Sequence, residues 1–356
     1  MAEWPPWKPA DAQGPARVWV VAELGVNHDG DPRKLLQLVE AAAESGADAV
    51  KLQVFSPERL LSGSAELAGY QKSGADDARG LLAGLAMPGE ANRQAAELAR
   101  SKGLGLVATP FSPQDVAELE ALGLDAVKIA SPDCVNPVLL RAAAGLGLPM
   151  LVSTGAADLE EVSFAAEWMR GEGGPGSDGH FRGGGALLHC VSSYPTPDAL
   201  AGLGGVAALR DRYGLPVGYS DHTPATDTGA LATACGAVVL EKHLTLDRTA
   251  PGPDHRASQD PDGFAEYVAN VRRAERMVGP ITKQVTPIER DVRRVARQSV
   301  AAARDLEAGR VLTADDLTVM RPGTGIPAMR FEDCIGRALN TGVKRGELLP
   351  TALLDG

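Results

Sequence analysis

Aromatic residues are scarce in this chain, only 4% of 356 residues. Cysteine is scarcer: Cys134, Cys190, Cys235 and Cys334 are the only four, and no two stand at C-x-x-C spacing. That argues against a disulfide framework or a thiolate metal centre, and the expected setting is the cytoplasm with the thiols reduced. No apolar run approaches the roughly 20 residues that span a membrane. Residues 1–16 hold Pro5, Pro6, Pro9 and Pro15 but no basic stretch followed by an apolar one, so they read as a tail, neither signal nor anchor. Positive charge is also short, with 35 Lys and Arg against 46 Asp and Glu and a net charge of −11. Nucleic acid and an anionic membrane are disfavoured as partners, whereas a small anion held by a local set of lysines is compatible with that balance.

What is present is alternation. Eight apolar strand-like runs, separated by Ala/Leu/Glu-rich helical segments, precede residue 250: Val18 to Ala22, Ala49 to Leu52, Leu104 to Ala108, Ala126 to Ile129, Met150 to Val152, Ala186 to Leu188, Val217 to Tyr219 and Ala237 to Leu240. Eight β-α units predict an α/β fold, a (β/α)₈ TIM barrel over residues 17–281. A doubly wound open sheet is the alternative, but the first turn, Gly25 to Gly30, lacks the dinucleotide fingerprint. A glycine-rich stretch between Gly171 and Gly185 is expected to be a surface loop before the sixth strand, on the face opposite the site. Residues 282–295 are polar and basic and read as a linker. Residues 296–356, with short strand-like pieces such as Val300 to Ala302 and Leu312 and with Gly309 and Gly346 at turns, predict a small second domain near the lower size limit for a core of its own.

Each of the eight runs leads at once into residues able to bind or transform a polar ligand. In order they are Glu23, Lys51 with Gln53, Thr109, Lys128 with Ser131, Ser153 with Thr154, Ser192 with Tyr194, Ser220 with His222, and Glu241 with His243. Barrel enzymes work at that end of the strands. Two lysines among hydroxyls suit a phosphate or carboxylate, unless the lysines merely snorkel to the rim. The segment from Ala225 to Gly236 is long enough for one short helix, so His222 and His243 end two adjacent parallel strands. With neighbouring strands about 5 Å apart, the two imidazoles can share one divalent metal; the plain alternative is two unrelated polar residues at the rim. The loop Pro251 to Arg256 carries an acid, an imidazole and a guanidinium that can lean over the same place.

The order and spacing of these motifs resemble the sialic acid synthase family. They are VAELGVNHDGD from Val21, GADAVKLQVF from Gly46, ATPFS from Ala108, VKIAS from Val127, LVSTG from Leu151, SSYPTP from Ser192, GYSDHT from Gly218, EKHLTLDR from Glu241 and PGPDHRAS from Pro251. The tail, with RPGTGIP from Arg321, is similar to the antifreeze-like (SAF) domain that closes such enzymes. The resemblance implies condensation of phosphoenolpyruvate with an aldose, N-acetylmannosamine or a related hexose derivative, to give a nonulosonic 2-keto-3-deoxy acid and phosphate. It implies a domain-swapped homodimer and Mn²⁺ or Mg²⁺ on His222 and His243. Lys51, Thr109, Lys128, Ser131, Ser153, Ser192 and Ser220 match the phosphoenolpyruvate pocket. Glu23, Gln53, Tyr194 and Asp254 match positions near the metal or sugar, and Arg321 matches an arginine reaching the acceptor from the partner subunit.

In the family's mechanism carbon 3 of the enolpyruvate attacks an open-chain aldehyde, and water then adds to carbon 2 before phosphate leaves. Glu23, Glu241 and Asp254 are the expected catalytic acids, with Glu23 placed to orient or deprotonate that water. Two departures bear on the sugar. Relatives commonly have Ser-Gly-Glu where this chain has Ser131-Pro132-Asp133, so a shorter acid, Asp133, stands at the acceptor contact; Ser192 stands where some members carry asparagine. Two other readings remain at this point: a Schiff-base aldolase using Lys51 or Lys128, and a non-catalytic binding protein whose tail domain is the working part.

Overall fold

Eight parallel strands close into a barrel: β1 (Trp19–Glu23), β2 (Ala49–Val54), β3 (Gly105–Pro110), β4 (Ala126–Ile129), β5 (Met150–Ser153), β6 (Gly185–Cys190), β7 (Val217–Asp221) and β8 (Val239–His243), with β8 pairing back onto β1. The computed structural model describes residues 17–62, 77–171, 184–279 and 282–354, and the chain divides into two compact units, residues 1–281 and 282–356. The tail, residues 1–16, and residues 172–183 of the glycine-rich stretch lie outside the described residues. Among the described residues no helix is long and apolar enough to cross a membrane.

The period-two alternation of a strand accounts for both sides of the barrel wall. One set of side chains, including Trp19, Val21, Ala49, Val107, Ala126, Leu151 and Val239, packs together inside the barrel. The alternate set, including Val20, Ala22, Val50, Leu52, Val127, Val152 and Leu240, joins the larger core under the helices. The helices around the barrel are α1 (Pro32–Glu44), α2 (Pro57–Leu60), α3 (Ala78–Leu85), α4 (Gly89–Ser101), α5 (Pro113–Leu119), α6 (Pro137–Gly145), α7 (Leu159–Arg170), α8 (Gly204–Tyr213), α9 (Thr228–Ala234) and α10 (Pro261–Val278). Four of them start with a capping residue and a proline: Asp31-Pro32, Ser112-Pro113, Asn136-Pro137 and Asp260-Pro261. Each cap side chain accepts a backbone N–H of the first turn, which is how the chain leaves a strand-end loop and enters a helix at a fixed point.

Hydropathy alone ends the strands too early. β1, β2, β3, β5, β6, β7 and β8 run one to three residues past the apolar runs, to Glu23, Val54, Pro110, Ser153, Cys190, Asp221 and His243. Polar side chains stay in the ladder there because they face one another across the barrel mouth. The single short helix expected between β7 and β8 is α9.

In the C-terminal unit the stretch read as linker carries a helix, α11 (Arg290–Ala296). β9 (Ser299–Ala302) and β10 (Leu317–Met320) pair antiparallel. Leu312 is not in a strand; it is a core residue beside the isolated bridge between Val311 and Ala338. Gly309 and Gly346 take φ values of 84° and 83°, as turn glycines do. The small core includes Val300, Leu306, Leu312, Leu317 and Leu349. It is braced by Asp316, fully buried, which accepts from Arg304, Arg310 and both the N–H and the hydroxyl of Thr313.

Candidate active site

The inward-facing phase of each strand turns from apolar to polar at its C-terminal end. Thus Trp19 and Val21 are followed in phase by Glu23, Ala49 by Lys51 and Gln53, Val107 by Thr109, Ala126 by Lys128, Leu151 by Ser153, and Val239 by Glu241 and His243. These residues, together with Ser220 and His222 from β7 and its end, line one cavity of about 700 Å³. Ser131, Asp133, Ser192, Tyr194 and Asp254 enter the same cavity from the loops after β4, β6 and β8. Of the expected site residues only Arg321 is elsewhere: it is exposed in the C-terminal unit, before a cis bond to Pro322.

Charge is concentrated on the floor. Register places Glu23 opposite both Lys51 and His243, and the Lys51 ammonium lies 2.8 Å from Glu23 Oε2 and 3.0 Å from Glu241 Oε2. Lys51 therefore does not snorkel; it is buried between two carboxylates. Burial pushes its pKa down, to about 8, against the pull of Glu241. Burial pushes the other way on Glu241, but Lys128 and Lys51 outweigh it and hold this carboxyl well below the usual range, so Glu241 is ionised. Lys128 Nζ stands 3.8 Å from Glu241 and donates to Ile129 O. Gln53 Nε2 donates to Glu23 Oε1 at 2.8 Å, and Ser220 donates to Glu241 Oε1 at 2.8 Å.

Two hydroxyls on this floor, Thr109 Oγ1 and Ser153 Oγ, are buried without a hydrogen-bond partner among the described residues. Such groups are costly unless a ligand completes them. At the rim Gly155 has no room for a side chain: an added Cβ would lie 2.4 Å from Ser192 Oγ and 3.0 Å from Ser131 Oγ. Glycine there lets these hydroxyls converge while Ser131 Oγ accepts the Gly155 N–H.

The two histidines meet as expected from their strand ends, ring centroids 5.4 Å apart, with Tyr194 packed 4.1 Å from the His222 ring. The Nδ1–H of His222 donates to Val191 O at 2.8 Å, which leaves the Nε2 lone pair directed to the cavity side, 3.4 Å from Ser220 Oγ. His243 Nδ1 is buried with no hydrogen-bond partner among the described residues and lies 3.5 Å from Asp254. Burial lowers the pKa of His222 to about 4, and burial with the neighbouring His222 takes His243 well below its ordinary value, so both rings are neutral. Neutral imidazoles, one with its second nitrogen fixed by a carbonyl, are what a metal requires. Among the described residues no three His, Cys, Asp or Glu side chains are grouped as a metal cage. His222 and His243 are the two side chains that could hold a divalent ion, which would need water and substrate oxygens to complete its shell.

The loop after β8 divides its acid, its imidazole and its guanidinium. Asp254 turns into the cavity, where burial raises its pKa to about 6. His255 is buried, its Nε2 2.9 Å from Asp29 and its Nδ1 2.7 Å from Thr245 Oγ1, so it anchors the loop and does not reach the site. Arg256 is exposed.

Three features escape the strand-end reading. Asp221 and Lys242, on the outward phase beside the two histidines, form a fully buried ion pair of 3.1 Å under α9 and α10. A charged residue two positions past the end of each apolar run was the available signal. Asn27 Nδ2 donates to Leu244 O and Ser258 Oγ, tying the loop after β1 to that after β8. Apolar side chains, Ala78, Leu81, Leu82 and Leu85 of α3 among them, line the same cavity as the charged residues.

Comparison with known proteins gives the same organisation. The NeuB family model matches residues 38–283, and the SAF domain model residues 297–355. The chain is 37% identical to N,N'-diacetyllegionaminic acid synthase of Legionella pneumophila over 334 residues, 93% of each chain. It is 34% identical to the Campylobacter jejuni enzyme of the same name, covering 93% of this chain and 98% of that one. Among solved structures, the N-acetylneuraminic acid synthetase from Leptospira borgpetersenii superposes with a TM-score of 0.69 at 29% identity, over 80% of this chain and 95% of that chain. An eight-stranded barrel whose strand ends converge on one charged cavity, followed by a SAF domain, therefore belongs to the NeuB family.

Proposed function

We propose that this enzyme condenses phosphoenolpyruvate with an open-chain hexose derivative to give a nonulosonic 2-keto-3-deoxy acid and phosphate. The observation that carries the reading is the joining, in one cavity, of buried lysines, unpartnered hydroxyls and paired neutral imidazoles. Lys128, Thr109 and Ser153 are donors for the phosphate and carboxylate of phosphoenolpyruvate, with Ser131, Ser192 and Ser220 beside them. Lys51 is held between Glu23 and Glu241, so it balances their charge as much as it offers its own.

In the proposed reaction carbon 3 of the enolpyruvate forms a bond to the aldehyde carbon, whose oxygen takes up a proton. Water adds at carbon 2, the carbon–oxygen bond to phosphate breaks, and the keto acid and inorganic phosphate result. Glu23, steadied by Gln53 and Lys51, is the carboxylate placed to orient that water. Asp254, with its raised pKa, is suited to exchange a proton with the sugar oxygen beside it. His222 and His243 would hold the divalent cation, Mn²⁺ or Mg²⁺, which when bound supplies Lewis-acid polarisation of a carbonyl oxygen. In the proposed assembly, a domain-swapped cytoplasmic homodimer, Arg321 reaches the acceptor bound to the partner subunit.

The test is phosphate release from phosphoenolpyruvate with and without N-acetylmannosamine-type acceptors, in Mn²⁺ buffer. Release no faster than in the acceptor-free control would refute the reading. The depressed pKa of Lys51 is the one observation that favours a Schiff-base aldolase instead; trapping of a keto acid on Lys51 by borohydride would support that alternative.

A further inference from the structure

Cys190 ends β6 in the inward phase, after Ala186 and Leu188, which pack inside the barrel. It is buried, and its Sγ lies 3.1 Å from Ser131 Oγ. Among the described residues Ser131 lines the cavity and Cys190 does not, so the thiol can reach a ligand only through the serine. The same serine oxygen accepts the Gly155 N–H at 3.0 Å. Gly155 makes this crowding possible, because a Cβ there would lie 2.6 Å from Cys190 Sγ. The segments ending β4, β5 and β6 thus meet on one oxygen atom.

A serine hydroxyl has one proton and two lone pairs, and it turns to suit its neighbours. Facing an anion it attracts only with the proton forward; a lone pair turned that way repels. In Ser131 one lone pair is taken by the Gly155 N–H. If the serine proton goes to Cys190 Sγ, the second lone pair is left for the cavity. If the thiol proton goes to Ser131 Oγ instead, both lone pairs are engaged and the hydroxyl proton is left for the cavity. A neutral thiol can make that donation and a thiolate cannot. Burial pushes the Cys190 thiol up, against the pull of Ser131 and Lys128, so its proton is present at neutral pH.

We propose that Cys190 is a positioning residue: its S–H donates to Ser131 Oγ and so sets that hydroxyl as a donor to an anionic group of phosphoenolpyruvate. The proposal rests on the condensation reading above, which puts Ser131 beside that anion. The thiol itself touches no substrate and neither gains nor loses a proton in the reaction.

The test is calorimetric titration with phosphoenolpyruvate, no acceptor present, and the wild type gives the reference dissociation constant. Cys190→Ala should weaken binding roughly 3- to 10-fold, the scale of one neutral hydrogen bond. Cys190→Val, which fills the space and donates nothing, should do the same. Cys190→Ser puts an O–H donor close to the same place and should stay within about twofold of wild type. In a Ser131→Ala background Cys190→Ala should cause no further loss, because the thiol acts only through that hydroxyl. Wild-type affinity in the alanine and valine variants, a serine variant as weak as they are, or an equal loss with the Ser131 hydroxyl absent overturns the proposal while leaving the condensation reading intact. No binding of phosphoenolpyruvate by the wild type overturns that reading, and the proposal with it.

Discussion

Replacing Lys242 by methionine tests how the two histidine-bearing strands are held together. Lys242 and Asp221 are opposite one another in the β7–β8 register and have no solvent exposure. The ammonium also donates to Thr223 O and lies 5.3 Å from the centre of the Tyr267 ring, while Asp221 Oδ1 accepts the N–H and hydroxyl of Thr223, each at 2.8 Å. Methionine fills the same channel but leaves the Asp221 charge buried and uncompensated, which costs about 3–5 kcal/mol. Adding Asp221→Asn removes that charge and keeps an acceptor for Thr223, so the double variant should recover most of the loss. All four tryptophans precede residue 169, so their emission during urea unfolding reports on the first unit alone. Free energies from that assay complete the double-mutant cycle. If Lys242→Met costs under about 1 kcal/mol, the scale of an exposed pair, or if the second substitution adds its own cost in full, the pair does not hold the strands.

Four further outcomes are expected. Lys128→Met should weaken phosphoenolpyruvate binding by about 1.5–3 kcal/mol, roughly 10- to 150-fold, the scale of a charged hydrogen bond; unchanged affinity by calorimetry would remove Lys128 from the anion site. His222→Ala and His243→Ala should each abolish the Mn²⁺-dependent part of turnover and reduce Mn²⁺ binding measured by electron paramagnetic resonance, with undiminished binding counting against a shared ion. In the C-terminal unit burial raises the Asp316 pKa, but hydrogen bonds from Arg304 and Thr313 outweigh it and hold the carboxyl well below its usual value. Its contribution is thus present above the unfolded-state pKa of about 4 and is lost as pH falls through the folded value; Asp316→Asn should speed hydrogen exchange in β9 and β10 at pH 7 and progressively less at lower pH, and a pH-independent difference would contradict this. Mixing Arg321→Ala with His222→Ala subunits, after proven exchange, should restore activity through one intact site if Arg321 acts across the dimer, and should leave the mixture as inactive as its parents if it does not.

The barrel was legible because its strands are apolar on both faces and recur eight times. The candidate site was legible because lysine, glutamate and histidine at successive strand ends have no place in a core unless they meet. Hydropathy misplaced the strand ends, since Glu23, Ser153 and His243 stay in the ladder by pairing with each other or awaiting a ligand. It also hid Lys51 as an ion-pair partner: only the register that sets Glu23 beside it and Glu241 within reach shows that its charge is matched. Asp221 and Lys242 escaped because the eye follows the inward phase, and the pair faces the other way. The polar, basic character of residues 282–295 gave no sign of α11, where Arg290 to Ala296 form a helix with no buried residue. Nothing in periodicity announces that Leu81 and Leu82 face a cavity; α3 reads as any amphipathic helix until the barrel mouth is in view.

Carbon-13 NMR of the products from phosphoenolpyruvate labelled at carbon 3 tests the proposed chemistry most directly. With an acceptor hexose and Mn²⁺ present, the vinylic carbon should become a methylene between a carbinol and a keto group, with one phosphate released per methylene formed. A label that stays vinylic, or that appears as the methyl of pyruvate, would mean that no carbon–carbon bond is made, and would contradict the assignment of this cavity as a condensation site.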